Sequence, residues 1–147
     1  MWSYKTYDEL TKEELHMILR ERVQVFIVEQ ECPYQEIDEH DFNSYHLFFE
    51  EEGELRAYLR ILPPNTRFPE ASIGRVIVNK EYRGQGYAKQ MMSMAIEFLE
   101  KELKVSEIKL MAQLYLQDFY ASFGFDVVSD VYNEDNIPHI DMIRKCG

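Results

Sequence analysis

Several features that would assign a function by themselves are missing or scarce in this chain. Only two of its 147 residues are cysteine. Cys32 and Cys146 are too few for a disulfide framework and have no metal-ligand spacing, so no metal is expected. Positive charge is scarce as well: 16 Lys and Arg stand against 27 Asp and Glu, a net charge of −11 at pH 7. A field of that sign repels nucleic acid phosphate and favours cationic partners. No apolar run approaches the roughly 20 residues that a membrane-spanning helix needs. Met1-Trp2-Ser3-Tyr4-Lys5 lacks the basic and then apolar pattern of a signal peptide. Neither nucleic acid nor a membrane is therefore an expected partner, and the cytoplasm is the expected location. The chain has no Gly-Lys-Ser or Gly-Lys-Thr triplet, which excludes the P-loop. With no internal repeat, linker or low-complexity block, its length predicts one domain over residues 1–147.

What is present is an alternation of strand and helix patterns. Residues 2–7 read as a short strand. Thr11-Lys12-Glu13-Glu14 is a capping box that starts a helix, and Leu15, Ile18, Leu19, Arg22, Val23, Phe26 and Ile27 carry its spacing to about Val28. Residues 29–41 are polar and broken by Pro33, and read mostly as a functional loop. Two strands flank the Glu52-Gly53 turn as a hairpin over 45–51 and 54–62. A proline-rich excursion over 63–69 interrupts the sheet pattern. A strand over 73–78, a helix over about 85–102, a strand over 107–112 and a short helix over 116–123 follow. Gly124 ends that helix, and a terminal strand pair over 125–131 and 139–144 closes the chain. This order predicts an α/β domain with a mixed sheet and helices on both faces.

One turn in that order carries chemistry. Arg83-Gly84-Gln85-Gly86-Tyr87-Ala88 directly follows an apolar strand and directly precedes an amphipathic helix. Glycines at a helix start let a bulky ligand approach main-chain N–H groups, and those groups with the helix dipole favour a phosphate or pyrophosphate. A Rossmann fingerprint is excluded, because the third glycine position is Ala88 and the strand lies mid-chain. A plain surface reversal is the alternative reading of the same residues.

Arg83-x-x-Gly86-x-Ala88, together with Phe119-Tyr120-Ala121-Ser122-Phe123-Gly124-Phe125 near the end, resembles the GNAT N-acetyltransferase family over nearly the whole chain. Arg22-Val23-x-Val25-Phe26-Ile27-Val28-Glu29-Gln30-x-Cys32-Pro33-Tyr34, Ile73-Gly74-Arg75-Val76 and Ile137-Pro138-His139-Ile140-x-Met142 are similar to its ElaA-like branch. The resemblance implies a mostly antiparallel central sheet whose central strand pair is splayed. It also implies acetyl-coenzyme A as cosubstrate and transfer to a primary amine of a small molecule or peptide by direct attack. Homodimers are common in that family, and the terminal strands are the expected contact. Two positions depart from the family pattern. Gln113 stands where many members place asparagine, and Ser72 lies near where some protein-lysine acetyltransferases place a glutamate base.

Carried over residue by residue, the resemblance predicts a cofactor site. Within the cofactor-binding strand Val76, Ile77 and Val78, the main-chain groups of Val76 and Val78 would pair with pantetheine amides in the manner of an added strand. Main-chain amides from Arg83, Gly84, Gln85, Gly86, Tyr87 and Ala88 would hold the pyrophosphate, and Gln113 would bond the pantetheine. An N–H of Val76 or Ile77 would face the developing oxyanion. Tyr120 is the expected donor to the leaving thiolate. A phenol pKa of about 10 against about 8.5 for a thiol makes full proton transfer slightly uphill, so strong hydrogen bonding is expected. Packing in an aromatic core is the alternative for Tyr120. The acceptor amine must lose a proton, at a cost of about 4–5 kcal/mol near pH 7. Glu29, Gln30, Arg75 and His139 are the expected acceptor-site residues, with Asp38, Asp41 and His46 as further candidates for a base. A non-catalytic acyl-coenzyme A binding module and a protein-interaction module are the rival functions.

Overall fold

Alternating side chains and tight turns dictate most of the sheet. A computed structural model describes residues 1–146. Its strands are β1 (Trp2–Thr6), β2 (Tyr45–Glu51), β3 (Glu54–Leu62), β4 (Ala71–Val78), β5 (Glu107–Gln113), β6 (Asp126–Val127), β7 (Tyr132–Glu134) and β8 (Ile137–Lys145). They form one sheet in the order β1-β2-β3-β4-β5-β8-β6, with β7 also on β8. Every neighbouring pair is antiparallel except β4 and β5. The β2–β3 hairpin turns on Glu52 and Gly53, with φ of 55° and 75°, and the β7–β8 hairpin on Asp135 and Asn136, with φ of 52° and 63°. Two successive positive φ values match the right-handed twist of the flanking strands.

The parallel pair is joined only at its start, by Ala71 opposite Ile108 and Ser72 opposite Lys109. Beyond that point β3 keeps its register with β4 as far as Val78, and β8 keeps its register with β5 as far as Gln113. Each strand thus follows its antiparallel partner while the ladder between β4 and β5 opens. A bulge adds to the opening. On β3 the step from Tyr58 to Arg60 spans two residues, whereas the partners Ile77 and Gly74 are three apart. Arg75 absorbs the extra residue at φ 53°, a left-handed conformation unusual for a side chain of its size.

Helix α1 (Lys12–Val23) begins at the Thr11 capping box and, in place of a continuous α-helix to Val28, passes into a π-helical segment, Gln24–Glu29. Helix α2 (Tyr87–Lys101) starts two residues later than its periodicity predicts. Gly86 at φ 88° is its N-cap, which confines Gln85 and Gly86 to the turn. Helix α3 (Gln117–Ala121) is shorter than the span 116–123, because Leu114–Leu116 coil as a 3-10 turn first. The loop before β2 carries another 3-10 turn, Glu39–Asn43. The expected strand over 125–131 is reduced to β6. Val128 N–H still donates to Asp141 O, but the Asp141 N–H donates to the Ser129 hydroxyl, which ends the ladder.

Helices cover both faces. Met91, Met92, Ala95, Ile96 and Leu99 of α2 pack on Leu47, Ala57, Leu59, Ile61 and Ile108. On the opposite face Ile18 and Val25 pack on Phe48, Leu55, Tyr58 and Ile77. No described helix is long and apolar enough to cross a membrane.

Candidate active site

The divergence of β4 from β5 leaves a cleft of about 890 Å³, within the range of small-molecule and cofactor sites. Val76, Ile77 and Val78 form one wall; Leu110, Met111 and Gln113 of β5 form the other. Ile73 to Val78 have no partner in β5, and Arg75 and Val76 have none in the β3 register either.

The turn from Arg83 to Ala88 closes one end. Gly84 and Gly86 have φ of 81° and 88°, and a Cβ added at either would meet nothing within 4 Å, so the main chain there is open to a ligand. Gly86 has no side chain to cap α2, which leaves the first N–H groups of that helix free for a bound group. That fits a diphosphate. Gly84, Gly86, Tyr87 and Ala88 line the cleft, as does Lys89, whereas Gln85 is exposed and outside the lining. The Arg83 side chain folds back: its Nε donates to Val78 O at 3.0 Å and its guanidinium meets the Glu29 carboxylate at 2.9 Å. Glu29 thus sits at the glycine-turn end of the cleft, engaged with a cation.

Tyr120 reaches the cleft from α3 with 6% of its surface exposed. Its ring lies edge-on to Phe119 and Phe125, and its hydroxyl has no hydrogen-bond partner among the described residues. Burial, with the neighbouring Tyr115, pushes the phenol pKa up, so the hydroxyl keeps its proton. Gln30 and Gln113 face each other across the cleft, their side chains bonded at 3.3 and 3.4 Å. His139 pairs with Gln113 in the β5–β8 register and stacks on Tyr132. Its Nδ1 lies 2.7 Å from Ile137 O, which assigns the proton to Nδ1 and leaves Nε2 as an acceptor.

Under the bulge lies a buried charge network that joins α1, the following loop, β3 and β4. Arg22 meets Glu36 at 2.9 Å and Asp41 at 2.7 Å. Arg60 meets Asp38 at 2.6 Å and Asp41 at 3.0 Å. Arg75 meets Glu36 at 2.6 Å and Asp38 at 3.3 Å, and donates to Glu36 O at 2.8 Å. Three guanidiniums face three carboxylates, the arrangement that lets such groups stay charged away from water. Burial by itself raises the Asp38 pKa. The hydrogen bond and charge of Arg60, with help from Arg75, outweigh it and bring that carboxyl down to about 2. Asp41 and His46, named above as possible bases, are sealed in this layer and do not line the cleft. His46 Nδ1 lies 2.6 Å from the Tyr58 hydroxyl and its Nε2 lies 3.0 Å from Asp41 O. Burial lowers the His46 pKa.

Sequence reasoning missed Glu36, Arg67, Phe68, Tyr34 and Tyr115. The last four line the cleft, and Glu36 holds two of the network's three arginines, Arg22 and Arg75. An arginine inside the apolar stripe of α1, at Arg22, was the available signal for the network.

A match to the family described as acetyltransferase (GNAT) domain covers residues 7–146. The chain is 41% identical over 146 residues to protein ElaA of Escherichia coli strain K12, covering 98% of this chain and 95% of that one. It is 39% identical over 145 residues to the UPF0039 protein sll0451 of Synechocystis, covering 98% and 94%. Among solved structures it is similar to an acyl-CoA N-acyltransferase from Pseudomonas aeruginosa, with a TM-score of 0.93 and 42% identity over 98% of both chains. It is also similar to Escherichia coli ElaA, with a TM-score of 0.91 and 41% identity over 99% of both. The splayed strand pair, the glycine turn that opens α2 and these full-length matches agree: the chain belongs to the GNAT acetyltransferase family.

Proposed function

We propose that this protein transfers the acetyl group of acetyl-coenzyme A to a primary amine of a small molecule or peptide, by direct attack of the amine on the thioester. The observation that carries this reading is the cleft itself: the length of β4 unpaired with β5, the glycine turn at α2 and the buried Tyr120 all line it. Main-chain groups of Val76, Ile77 and Val78 bind the pantetheine as an added strand. Amides from Arg83 through Ala88 hold the diphosphate. A main-chain N–H on the side of β4 left open by β5, at Val76 or Ile77, faces the oxygen on which negative charge develops.

Tyr120 serves as donor to the departing sulfur. Its raised pKa supports a hydroxyl that stays protonated and stabilises the thiolate by a strong hydrogen bond rather than by full transfer. On the acceptor side, His139 Nε2 is the free acceptor best suited to the amine proton, with Gln30 and Arg75 shaping the approach. Glu29, engaged with Arg83, acts by holding the phosphate-facing turn.

The test is thiol release from acetyl-coenzyme A over a panel of amines, in the native protein and in Tyr120→Phe. Turnover in the variant is expected to fall about a hundredfold or more, with coenzyme A affinity by calorimetry unchanged within about twofold. Equal rates would remove Tyr120 from the chemistry. Tight coenzyme A binding with no amine accepted would make the protein a binding module instead.

A further inference from the structure

Three arginines line the cleft, and two of them are neutralised: Arg75 by Glu36 and Asp38, Arg83 by Glu29. Arg67 has no ion pair among the described residues. In a chain with far more acids than bases an unmatched guanidinium inside a cleft is conspicuous, because partners of opposite sign are abundant. Nor does Arg67 sit on loose chain. Its turn is pinned by Asn65 N–H, which donates to Phe68 O at 2.9 Å and to Pro69 O at 3.2 Å, and by the Thr66 hydroxyl, which donates to Pro63 O at 2.7 Å. The guanidinium carbon stands 5.2 Å from the centre of the Phe68 ring, within cation–π range. The nearby buried layer adds no net charge, since Arg22, Arg60 and Arg75 are balanced by Glu36, Asp38 and Asp41. Arg67 is therefore the one arginine of the cleft lining whose charge no ion pair among the described residues offsets.

The β7–β8 turn carries the complementary charge. Glu134 and Asp135, at the β7–β8 turn, are exposed, line the cleft and have no ion pair among the described residues. That turn is also anchored, by the Cys32 thiol donating to Asp135 O at 2.7 Å. Tyr34, Phe68 and Ile137 line the same cleft. An unpaired guanidinium, unpaired carboxylates and apolar surface in one cleft suit a zwitterion with an apolar body.

We infer that Arg67 binds a carboxylate of the acceptor, so that the amine acetylated by this protein is of amino-acid type. This rests on the acetyl-transfer reading above. The planar guanidinium offers two parallel N–H donors to the carboxylate, and the ammonium end faces Glu134 and Asp135 before it is deprotonated. Because Arg67 is open to solvent, the discrimination is moderate, about tenfold rather than a hundredfold.

The experiment has a binding arm and a turnover arm, both with the full chain. In the first, N-acetylleucine, N-acetylphenylalanine and 6-acetamidohexanoate are titrated into coenzyme A-loaded protein beside their carboxamides. At least one carboxylate should bind about tenfold more tightly than its carboxamide. Arg67→Met should abolish that gap while carboxamide binding is unchanged, and Arg67→Lys should restore part of it. A carboxamide bound as well as its acid, a gap that survives in Arg67→Met, or no binding of any of these ligands overturns the inference. In the second arm the parent amines and their carboxamides are compared by thiol release. The carboxamide amines are the weaker bases and hence less protonated at neutral pH, so a preference for the acids cannot come from amine basicity. No thiol release with any amine, alongside an intact binding gap, would sink the acetyl-transfer reading and leave the Arg67 assignment standing.

Discussion

The two faces of the sheet are built on opposite principles. Beneath α2 lies a layer of eighteen buried hydrophobic residues, from Leu47 to Met142, which reaches the cleft at Ile73, Leu110 and Tyr120. Beneath α1 only six apolar residues cluster, and Arg22, Glu36, Asp41, His46 and Arg60 are buried beside them. One strand feeds both layers: Ala57, Leu59 and Ile61 of β3 go to the apolar side, while Tyr58 and Arg60 go to the charged side. Apolar packing stabilises but is nearly indifferent to small displacements, whereas the forked Arg60–Asp38 pair, with N–H donors at 2.6 and 2.9 Å, is not. The charged face is the one that holds the bulge of β4, where a shift of a fraction of an ångström would misplace a main-chain donor. The comparison suggests that one layer supplies cohesion and the other supplies position.

Breaking the charged layer is expected to have the largest effect. Arg60→Met removes a fully buried cation and leaves Asp41, also buried, with one partner fewer; a loss of about 3–5 kcal/mol is expected, read by urea denaturation. A loss below about 1 kcal/mol would mean that the arginine is exchangeable for apolar bulk. On the other face Leu99→Ala should cost about 3 kcal/mol through the cavity it leaves. It differs in its consequence: coenzyme A affinity per folded molecule should be unchanged, whereas Arg60→Met should weaken it, and equal effects would erase the distinction between the layers. The smallest expected effect is titration of Asp38. Its folded pKa of about 2 lies below the ordinary 3.8, so the unfolded chain takes up the proton first as pH falls. The stabilisation is complete above about pH 4 and is lost as pH drops toward 2. Since Asp38 is partly solvated, it amounts to on the order of 1 kcal/mol. The stability gap between the native protein and Asp38→Asn, measured at pH 6, 4 and 3, should narrow over that interval, and a constant gap would refute the linkage.

These contrasts also mark what sequence reading reached. Alternation in β2 and β3 and the Glu52-Gly53 turn announce the hairpin, and the Thr11 capping box announces α1. The cleft walls were legible because they follow from local order, with β4, the glycine turn and α2 consecutive in the chain. The network was not, since Arg22 finds partners fourteen and nineteen residues away and Arg75 finds one thirty-nine away; spacing along one element carries no trace of such choices. Arg22 sat in the periodic stripe as if apolar, because the stem of arginine packs like a hydrocarbon. The π-helical segment escaped for a related reason, as an apolar run has no mark for where one extra residue is inserted. Arg67 was hidden inside a loop read only as an interruption.

The pair formed by Gln30 and Gln113 has a consequence for how the cleft opens. Each carboxamide is donor and acceptor at once, and their mutual distances of 3.3 and 3.4 Å are at the long end of useful bonding. An incoming chain that bears its own peptide-like groups can take over one partner without leaving the other bereft. Entry then resembles a change of dance partners more than the forcing of a door: a wall-to-wall latch that keeps the empty slot in shape yields at almost no enthalpic penalty to a guest of matching polarity, and resists one of pure hydrocarbon.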